Sequence, residues 1–306
     1  MEIGFHIPDI VYHHRLNVIL HETLKKSPQM FRDGVKIASV YGVFPSAMWN
    51  GGRFSGGKPM EVGLMKKYIE DYNSRGIPVR YTFTNPLITK EHLGNHYCNQ
   101  MLRAGDNGMN EVIINSPLLE DYIREHYPNY KITSSTCKEI RTPEGVDAEL
   151  AKDYNIVVLD YNWNNNFEFL ESIKDKDRCE ILVNACCTPN CPQRGEHYKN
   201  IGMQQIQYSE QITHGEKTIN VVPSLTCNFA GLHIYNTLGN STHISPDAIY
   251  EKYAPMGFKH FKLEGRTNAD VAVLENYVYY MVKPEYRDLV RLDMLQWLTE
   301  KSKFFM

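Results

Sequence analysis

The feature that most limits the fold of this chain is an alternation of short apolar runs with longer stretches of helical pattern. The apolar runs are four to six residues long and are bounded by turn-forming residues, which is the pattern of buried strands. Eight runs qualify as strands: 35–40, 79–83, 111–114, 131–134, 156–159, 180–183, 219–222 and 258–263. Strands that alternate with helices predict a parallel sheet, and eight such units predict an α/β fold, a (β/α)8 TIM-like barrel with C-terminal helices.

A length of 306 residues suits one barrel domain. We expect a single domain over residues 1–306, with the core at about 35–268 and a helical segment at 269–306 that is rich in aromatic residues. Such aromatic residues pack in a core or form a dimer face. An open doubly wound sheet is the alternative fold, but no Gly-x-Gly-x-x-Gly motif follows an early strand.

The composition is that of a soluble globular protein. Apolar residues make up 42% of the chain, charged residues 23%, and the net charge is −3. This balance predicts no broad basic surface for nucleic acid, although a local basic patch would escape that test. The first residues lack the pattern of a secretory signal, and no apolar run approaches the ~18 residues of a membrane span. We therefore expect a cytoplasmic protein without a membrane span.

A group of cysteines directly follows the predicted strand at 180–183. Cys186, Cys187 and Cys191 lie there, with three residues between the last two. The chain has seven cysteines, and an odd number in a reducing compartment predicts thiols rather than a disulfide framework. Thiolates at the end of a buried strand indicate a metal or iron–sulfur site, and simple burial is the alternative.

In a (β/α)8 barrel, the residues that follow the carboxyl ends of the strands line one mouth, where catalysis takes place. Polar residues occur at nearly every predicted strand end and should line one cavity that takes a small-molecule substrate. They are Tyr41, Arg53, Asn85, Asn115, Cys137, Asp160, Asn162, Asn184, Cys186, Cys187, Cys191, Cys227, Glu264 and Arg266.

Four cysteines at these strand ends form the predicted ligand set: Cys137, Cys187, Cys191 and Cys227. Four thiolates can hold a [4Fe-4S] cluster or a structural zinc ion. Scattered single cysteines favour the cluster, because zinc sites commonly take pairs of ligands from two knuckles. Cys186 competes with Cys187, since adjacent side chains on an extended backbone point in opposite directions. The other two cysteines, Cys98 and Cys179, are expected to be buried.

Metal-independent chemistry is a second possibility at the same mouth. The sequence contains no Gly-x-Ser-x-Gly and no His-Glu-x-x-His motif. The candidate catalytic side chains are His197, Asp160, Glu264 and Arg266, which could act in a hydrolase or lyase. Glu264 and Arg266 could also bind an anionic substrate, or pair with each other at the rim.

Three segments of the second half resemble the U32 family, first described as collagenase-like peptidases. They are Cys187-Thr188-Pro189-Asn190-Cys191-Pro192-Gln193-Arg194, then Ser245-Pro246-Asp247 with Tyr253-Ala254-Pro255-Met256-Gly257, and finally Phe261-Lys262-Leu263-Glu264-Gly265-Arg266. The last segment resembles the family's Phe-Lys-Ile-Glu-Gly-Arg motif. The first half resembles the family mainly in layout.

The resemblance implies a barrel-like α/β core and four cysteines that hold a [4Fe-4S] cluster. By position, Cys187 and Cys191 match the family's paired ligands, and Cys227 falls where a further ligand is expected. The fourth ligand is left open between Cys137 and Cys186. The implied activity is oxygen-independent hydroxylation, or a related redox step, on a small aromatic substrate. A metal-independent peptidase or hydrolase of the U32 type, or a non-catalytic metal-bearing subunit of a hetero-complex, is the alternative. A homo- or heterodimer is expected as a possible assembly.

Overall fold

Eight parallel strands form a closed barrel in the computed structural model, which describes residues 2–227 and 234–300. Each strand pairs with the next one along the chain, and β8 pairs with β1 to close the ring. The strands are β1 Ile3–Pro8, β2 Val35–Gly42, β3 Val79–Phe83, β4 Glu111–Ile114, β5 Lys131–Ser134, β6 Ile156–Val158, β7 Cys179–Leu182 and β8 His260–Lys262. The predicted (β/α)8 barrel is therefore confirmed.

Helices lie between the strands and after the last one. They are α1 His14–Lys26, α2 Val62–Ser74, α3 His96–Gly105, α4 Pro117–His126, α5 Pro143–Leu150, α6 Phe167–Ser172, α7 Arg194–Thr213, α8 Ile234–Thr237, α9 Pro246–Ala248, α10 Ala254–Met256, α11 Asp270–Met281 and α12 Arg287–Glu300. A π-helical turn at Ile249–Tyr253 joins α9 to α10. Ser245 caps this helical segment, accepting a hydrogen bond from the Ala248 backbone N–H. Among the described residues, none of the helices combines the length and apolar character needed to span a bilayer.

One predicted strand is wrong and one real strand was missed. Residues 219–222 form no strand, because side chains of α7 take up their backbone groups. The Gln211 Oε1 accepts from the Asn220 N–H at 2.8 Å, and the Gln207 Oε1 accepts from the Val222 N–H at 2.8 Å. The missing strand is β1, which lies before the range 35–268 predicted for the core and pairs with both β2 and β8.

The two faces of the strands bury different kinds of side chain. Apolar residues such as Phe5 and Phe261 face the surrounding helices, where their rings lie 6.1 Å apart. The barrel interior instead holds a charged network in which Arg80 Nη1 donates to Glu180 Oε2 at 2.5 Å. Lys262 Nζ lies 3.3 Å from Glu180 Oε1, and His6 Nε2 lies 3.4 Å from Glu180 Oε2. A fully buried carboxylate is stable there because Arg80 and Lys262 supply the opposite charge beside it.

The C-terminal helices pack onto the barrel. Tyr277 and Tyr280 of α11 are completely buried, and the Tyr277 hydroxyl donates to Asn17 Oδ1 at 2.6 Å. Of the aromatic residues predicted to pack in a core or at a dimer face, these two lie in the core, whereas Tyr279 of α11 is half-buried. Phe304 and Phe305, which belong to the same prediction, lie outside the described residues.

Candidate functional site

A cavity of about 310 Å³ lies at the carboxyl-terminal mouth of the barrel. It is lined by strands β2 to β8, the loops that follow them, and α7. The lining residues that carry polar or reactive groups are Tyr41, Arg53, Thr82, Thr84, Ser135, Thr136, Cys137, Tyr161, Cys186, Cys187, Arg194, His197, Tyr198, Cys227, Lys262, Glu264, Arg266 and Thr267. The chain thus brings most of the predicted mouth residues to one place.

Three of the four predicted thiolate ligands, Cys137, Cys187 and Cys227, line this cavity. Cys191 does not line it. However, Cys191 lies near Cys187, and negative charge at Cys191 contributes to raising the pKa of the Cys187 thiol, after the larger effect of burial. The four thiols therefore come from three loops, with Cys187 and Cys191 on the same one, and gather on one side of the barrel.

The loop that carries the paired cysteines turns tightly. Asn190 adopts a φ of 53°, a left-handed conformation that asparagine tolerates better than most residues. The Cys191 N–H donates to the Thr188 carbonyl at 3.2 Å. Cys186 and Cys187 both line the cavity, contrary to the expectation that only one would, because the chain bends at Cys187 and is not extended there.

Cys98 and Cys179 are completely buried, as predicted. Cys98 lies in α3 and Cys179 begins β7. Burial raises the pKa of each thiol to about 12, so both are inert thiols of the core.

The described residues, 2–227 and 234–300, contain no group of three or more His, Cys, Asp or Glu side chains that is already positioned to hold a metal ion. The thiols lie near one mouth of the barrel, but they do not already form a closed coordination shell.

Glu264 pairs with Arg53, and not with Arg266 as one sequence alternative had it. Its Oε2 also accepts the Cys186 backbone N–H at 2.9 Å, and Asn184 Oδ1 accepts the Glu264 N–H at 2.7 Å. Burial alone would raise the pKa of Glu264, but Arg53 and the bond from Cys186 bring it below its usual value. Glu264 is therefore an ionised carboxylate that fixes the start of the cysteine loop against β8.

Arg266 occupies the same wall without a carboxylate partner among the described residues. Its guanidinium donates to Thr82 Oγ1 at 2.8 Å, to the Gly51 carbonyl at 2.9 Å and to Asn50 Oδ1 at 3.0 Å. These are neutral acceptors, and the carboxylates of Glu264 and Asp9 act on the guanidinium electrostatically without the direct contact of an ion pair. Arg266 therefore makes the cavity attractive to an anion.

Asp160, predicted as catalytic, lies outside the cavity lining. It is buried, and its Oδ2 accepts from Arg194 Nη1 at 2.6 Å. Arg194 in turn lines the cavity, with its guanidinium 4.1 Å from the centre of the Tyr161 ring. It also donates to the Thr136 carbonyl at 3.1 Å, next to Cys137. The observed contacts of Asp160 thus orient Arg194.

His197 of α7 lines the cavity as predicted. Burial lowers the pKa of its imidazole, and Arg53 lowers it further, so the ring is neutral near pH 7.

The asparagines predicted at the mouth form hydrogen bonds with neighbouring loops. Asn85 donates to the Met48 and Gly202 carbonyls, each at 3.0 Å, and Asn115 to the Thr84 carbonyl at 3.5 Å. Asn162 Oδ1 accepts the Asn190 N–H at 2.8 Å. These bonds hold the loops around the mouth.

The cavity lining also includes three residues that were not predicted from the sequence, which are Lys262, Arg194 and Tyr198. Lys262 carried a usable signal, because a lysine between Phe261 and Leu263 interrupts an otherwise apolar strand. Alternation along a strand then places it on the face opposite to those two residues. Arg194 stands directly after the cysteine motif, but nothing in the sequence shows that it reaches back across the mouth.

Other cavities on the described part of the molecule include two that are larger than the mouth cavity. One of about 430 Å³ adjoins the mouth, where it contains Asp9 and His13 and shares Arg53, Arg266 and Thr267 with the first. The other, of about 540 Å³, is an outer groove that includes His14, Leu64 and Trp297, far from the cysteines. We place the functional site at the mouth, where charged and thiol side chains converge, although the outer groove is larger.

The fold is similar to that of a solved structure described as the U32 peptidase Mk0906. The two share 14% sequence identity over 88% of this chain and 95% of that one, with a TM-score of 0.51. A GH113 beta-1,4-mannanase structure covers 96% of this chain at 8% identity, with a TM-score of 0.34. No protein-family model and no curated protein matches the chain. At these identities the similarity to the first structure establishes the fold.

Proposed function

We propose that this chain is a U32-like protein that binds a [4Fe-4S] cluster through Cys187, Cys191, Cys227 and Cys137. Its proposed role is to carry out or assist oxygen-independent hydroxylation, or a related redox step, on a small aromatic substrate. The observation that supports this best is the lining of one cavity by thiols from three separate loops together with cationic side chains.

The donor set suits such a cluster. Thiolate is the protein ligand that iron–sulfur clusters use, and none of the four cysteines is committed to a disulfide. Burial raises the pKa of Cys187 in the absence of a metal, but a bound metal displaces the thiol proton. Because the described residues form no closed coordination shell, ligand loops and cluster would be ordered together. When bound, the cluster would supply electron transfer.

The chain's own side chains would bind and orient the substrate. Arg53, Arg194, Lys262 and Arg266 line the cavity with only Glu264 as a lining carboxylate among the described residues. This excess of positive charge favours an anionic ligand. Tyr41 and Tyr161 offer aromatic faces for a planar ring. A small aromatic acid would satisfy both features.

A cysteine peptidase is less well supported by the electrostatics. Such an enzyme needs a thiolate with a lowered pKa beside a base. Burial instead raises the pKa values of Cys186 and Cys187 above that of an ordinary thiol. The peptidase alternative therefore lacks an activated nucleophile at these two positions.

Metal analysis after anaerobic expression tests the proposal. We expect brown protein with about four iron atoms per chain. Cys187→Ser and Cys191→Ser should each lose most of the iron. The matched control Cys98→Ala should keep it, because Cys98 is a buried residue of α3 that does not line the cavity. Stoichiometric zinc would support a structural zinc site instead. Protein that contains neither iron nor zinc after anaerobic expression would exclude the proposed cluster.

The partner prediction concerns a different surface. Leu289 and Leu292 of α12 are 55% and 66% exposed, and Val271 of α11 is 56% exposed. Exposed apolar side chains are a common feature of protein interfaces. A homo- or heterodimer through the C-terminal helices stays a prediction, which the molar mass in solution would test.

A further inference from the structure

Lys262 is a buried amine at the floor of the mouth cavity. It is the last residue of β8 and is 8% exposed. Its Nζ lies 4.1 Å from the centre of the Tyr41 ring, and both residues line the cavity. The amine is thus sheltered from bulk water but faces the space that a ligand would fill.

The charges around Lys262 stabilise its protonated, ammonium form only weakly. Its carboxylate neighbour is Glu180, whose Oε1 lies 3.3 Å away, but the other oxygen of Glu180 accepts from Arg80 at 2.5 Å. Two cations therefore share the Glu180 carboxylate, although Arg80 also pairs with Glu111 at 3.2 Å. Burial lowers the pKa of Lys262, Glu180 raises it, and Arg80 and Arg266 lower it again, with a net decrease. Desolvated lysines beside other cations are the ones that act as nucleophiles.

We propose that Lys262 is a nucleophilic amine that forms an imine with a small 2-oxo acid, whose carboxylate pairs with Arg266. The Nζ lone pair adds to the carbonyl carbon and forms a C–N bond. The carbonyl oxygen then leaves as water together with the two amine hydrogens, and a C=N bond remains. The step needs no oxidant, reductant or metal, so it stands apart from the proposed cluster.

Arg266 defines the carboxylate end of this ligand. The three hydrogen bonds to Thr82, Gly51 and Asn50 leave two of its five N–H groups for a ligand. It lines the same cavity as Lys262, and its positive charge contributes to lowering the pKa of the Lys262 amine. The cavity volume of about 310 Å³ suits a small acid. Amine and guanidinium together therefore select a carbonyl compound that also carries a negative charge.

Reductive trapping tests the proposal on the full-length chain as purified. The protein is incubated near pH 8 with pyruvate and cyanoborohydride, which reduces an imine to a stable amine, and is then analysed by intact mass and peptide mapping. We expect one added pyruvate unit per chain, located at Lys262. Acetone serves as the carbonyl compound without a carboxylate, and should label Lys262 more slowly.

Two variants separate chemistry from folding. Lys262→Arg keeps the positive charge beside Glu180 and should fold, but cannot form an imine, so the adduct should disappear. Lys259→Arg changes an exposed lysine three residues earlier and should leave labelling unchanged. Arg266→Gln should slow labelling by both compounds, because Arg266 helps to lower the pKa of Lys262, and should slow pyruvate labelling by a further factor of roughly ten, the effect of losing one charged hydrogen bond.

Three results would contradict the proposal. Absence of an adduct at saturating pyruvate, or label spread over surface lysines in place of Lys262, excludes the nucleophilic role. Equal labelling by pyruvate and acetone excludes the role of Arg266. Because none of these measurements involves iron, they succeed or fail independently of the metal analysis.

Discussion

Arg80 shows how a single residue can determine the interior of this barrel. Its guanidinium is completely buried and contacts carboxylates on two other strands, Glu180 on β7 and Glu111 on β4. It also donates to Thr133 Oγ1 on β5 at 3.0 Å. A charge buried this deeply is tolerated because the opposite charges are held in place around it.

We expect Arg80→Met to destabilise the protein by about 3–5 kcal/mol, because it leaves two buried carboxylates without their main partner. Urea unfolding followed by circular dichroism measures the change. The matched control is Arg124→Met on α4, whose pair with Glu120 is partly exposed and should contribute only about 0.3–0.5 kcal/mol. Similar losses in the two variants would show that the buried network contributes no more than a surface pair.

At the level of single residues, the sequence predicted where the site residues lie better than which partners they contact. Cys137, Cys187 and Cys227 were assigned to the mouth because strand ends of a parallel barrel converge there, and they line the cavity. The partner of Glu264 was not predictable, because Arg53 belongs to a loop more than two hundred residues away. Pairing across a closed barrel depends on how seven other strands are arranged.

At the level of elements, the loop after β2 packs tightly against the loop after β3. A Cβ atom on Gly51 would lie 2.5 Å from the backbone C and O of Thr84 and 2.7 Å from the Asn85 N. These are backbone atoms of the next loop, which cannot rotate away. The close approach also places the Gly51 carbonyl where Arg266 donates to it.

Gly51→Ala should therefore destabilise the protein by about 1–3 kcal/mol through overpacking. It should also shift the loop that carries Arg53. The matched control is Gly63→Ala in α2, where an added Cβ meets nothing within 4 Å and should stabilise the helix by up to about 1 kcal/mol. Midpoints of urea unfolding that move in the same direction for both variants would contradict this interpretation of the loop.

Seven of the eight predicted strands are present, and the first strand of the barrel was missed. Lys131–Ser134 and Val79–Phe83 were found at their observed positions. Ile3–Pro8 was missed because His6 and Pro8 interrupt it, although Ile3, Phe5 and Ile7 alternate with period two. The inward face of β1 is polar since it meets Glu180 and Ser39 inside the barrel. Such a face cannot be recognised until the interior is known to be charged.

At the level of the whole molecule, the polar barrel interior couples stability to pH. His6 Nε2 lies 3.0 Å from His260 Nδ1, and both rings adjoin the group formed by Arg80, Glu180 and Lys262. Burial lowers the pKa of His6 well below its usual value and that of His260 to about 4. Both rings are therefore neutral in the folded protein and would have to gain charge on acidification.

We expect the free energy of unfolding to fall between pH 6.5 and 4. In this window the unfolded chain binds protons at histidines that the folded protein keeps neutral, so lower pH favours unfolding. His260 alone would account for about 3 kcal/mol at most. Asp9 acts in the opposite direction in this window, because its folded pKa is raised, whereas His13, whose folded pKa is also raised, has its effect above pH 6.5. Asp9 is outnumbered by the histidines whose pKa is lowered, which are His6, His14, His197, His243 and His260.

A second loss should follow between pH 4.5 and 2. Burial would raise the pKa of Glu149, but hydrogen bonds from Lys138, Lys152 and Ser134 lower it to about 2. Its stabilising contribution is present above pH 4.5 and disappears as the carboxylate is protonated. Urea midpoints measured from pH 7 to 3 should therefore decrease in two stages. His260→Gln should flatten the first stage, whereas the exposed His126→Gln on α4 should leave it unchanged. If the His260→Gln protein retained the full loss between pH 6.5 and 4, the barrel interior would not be the origin of the acid sensitivity.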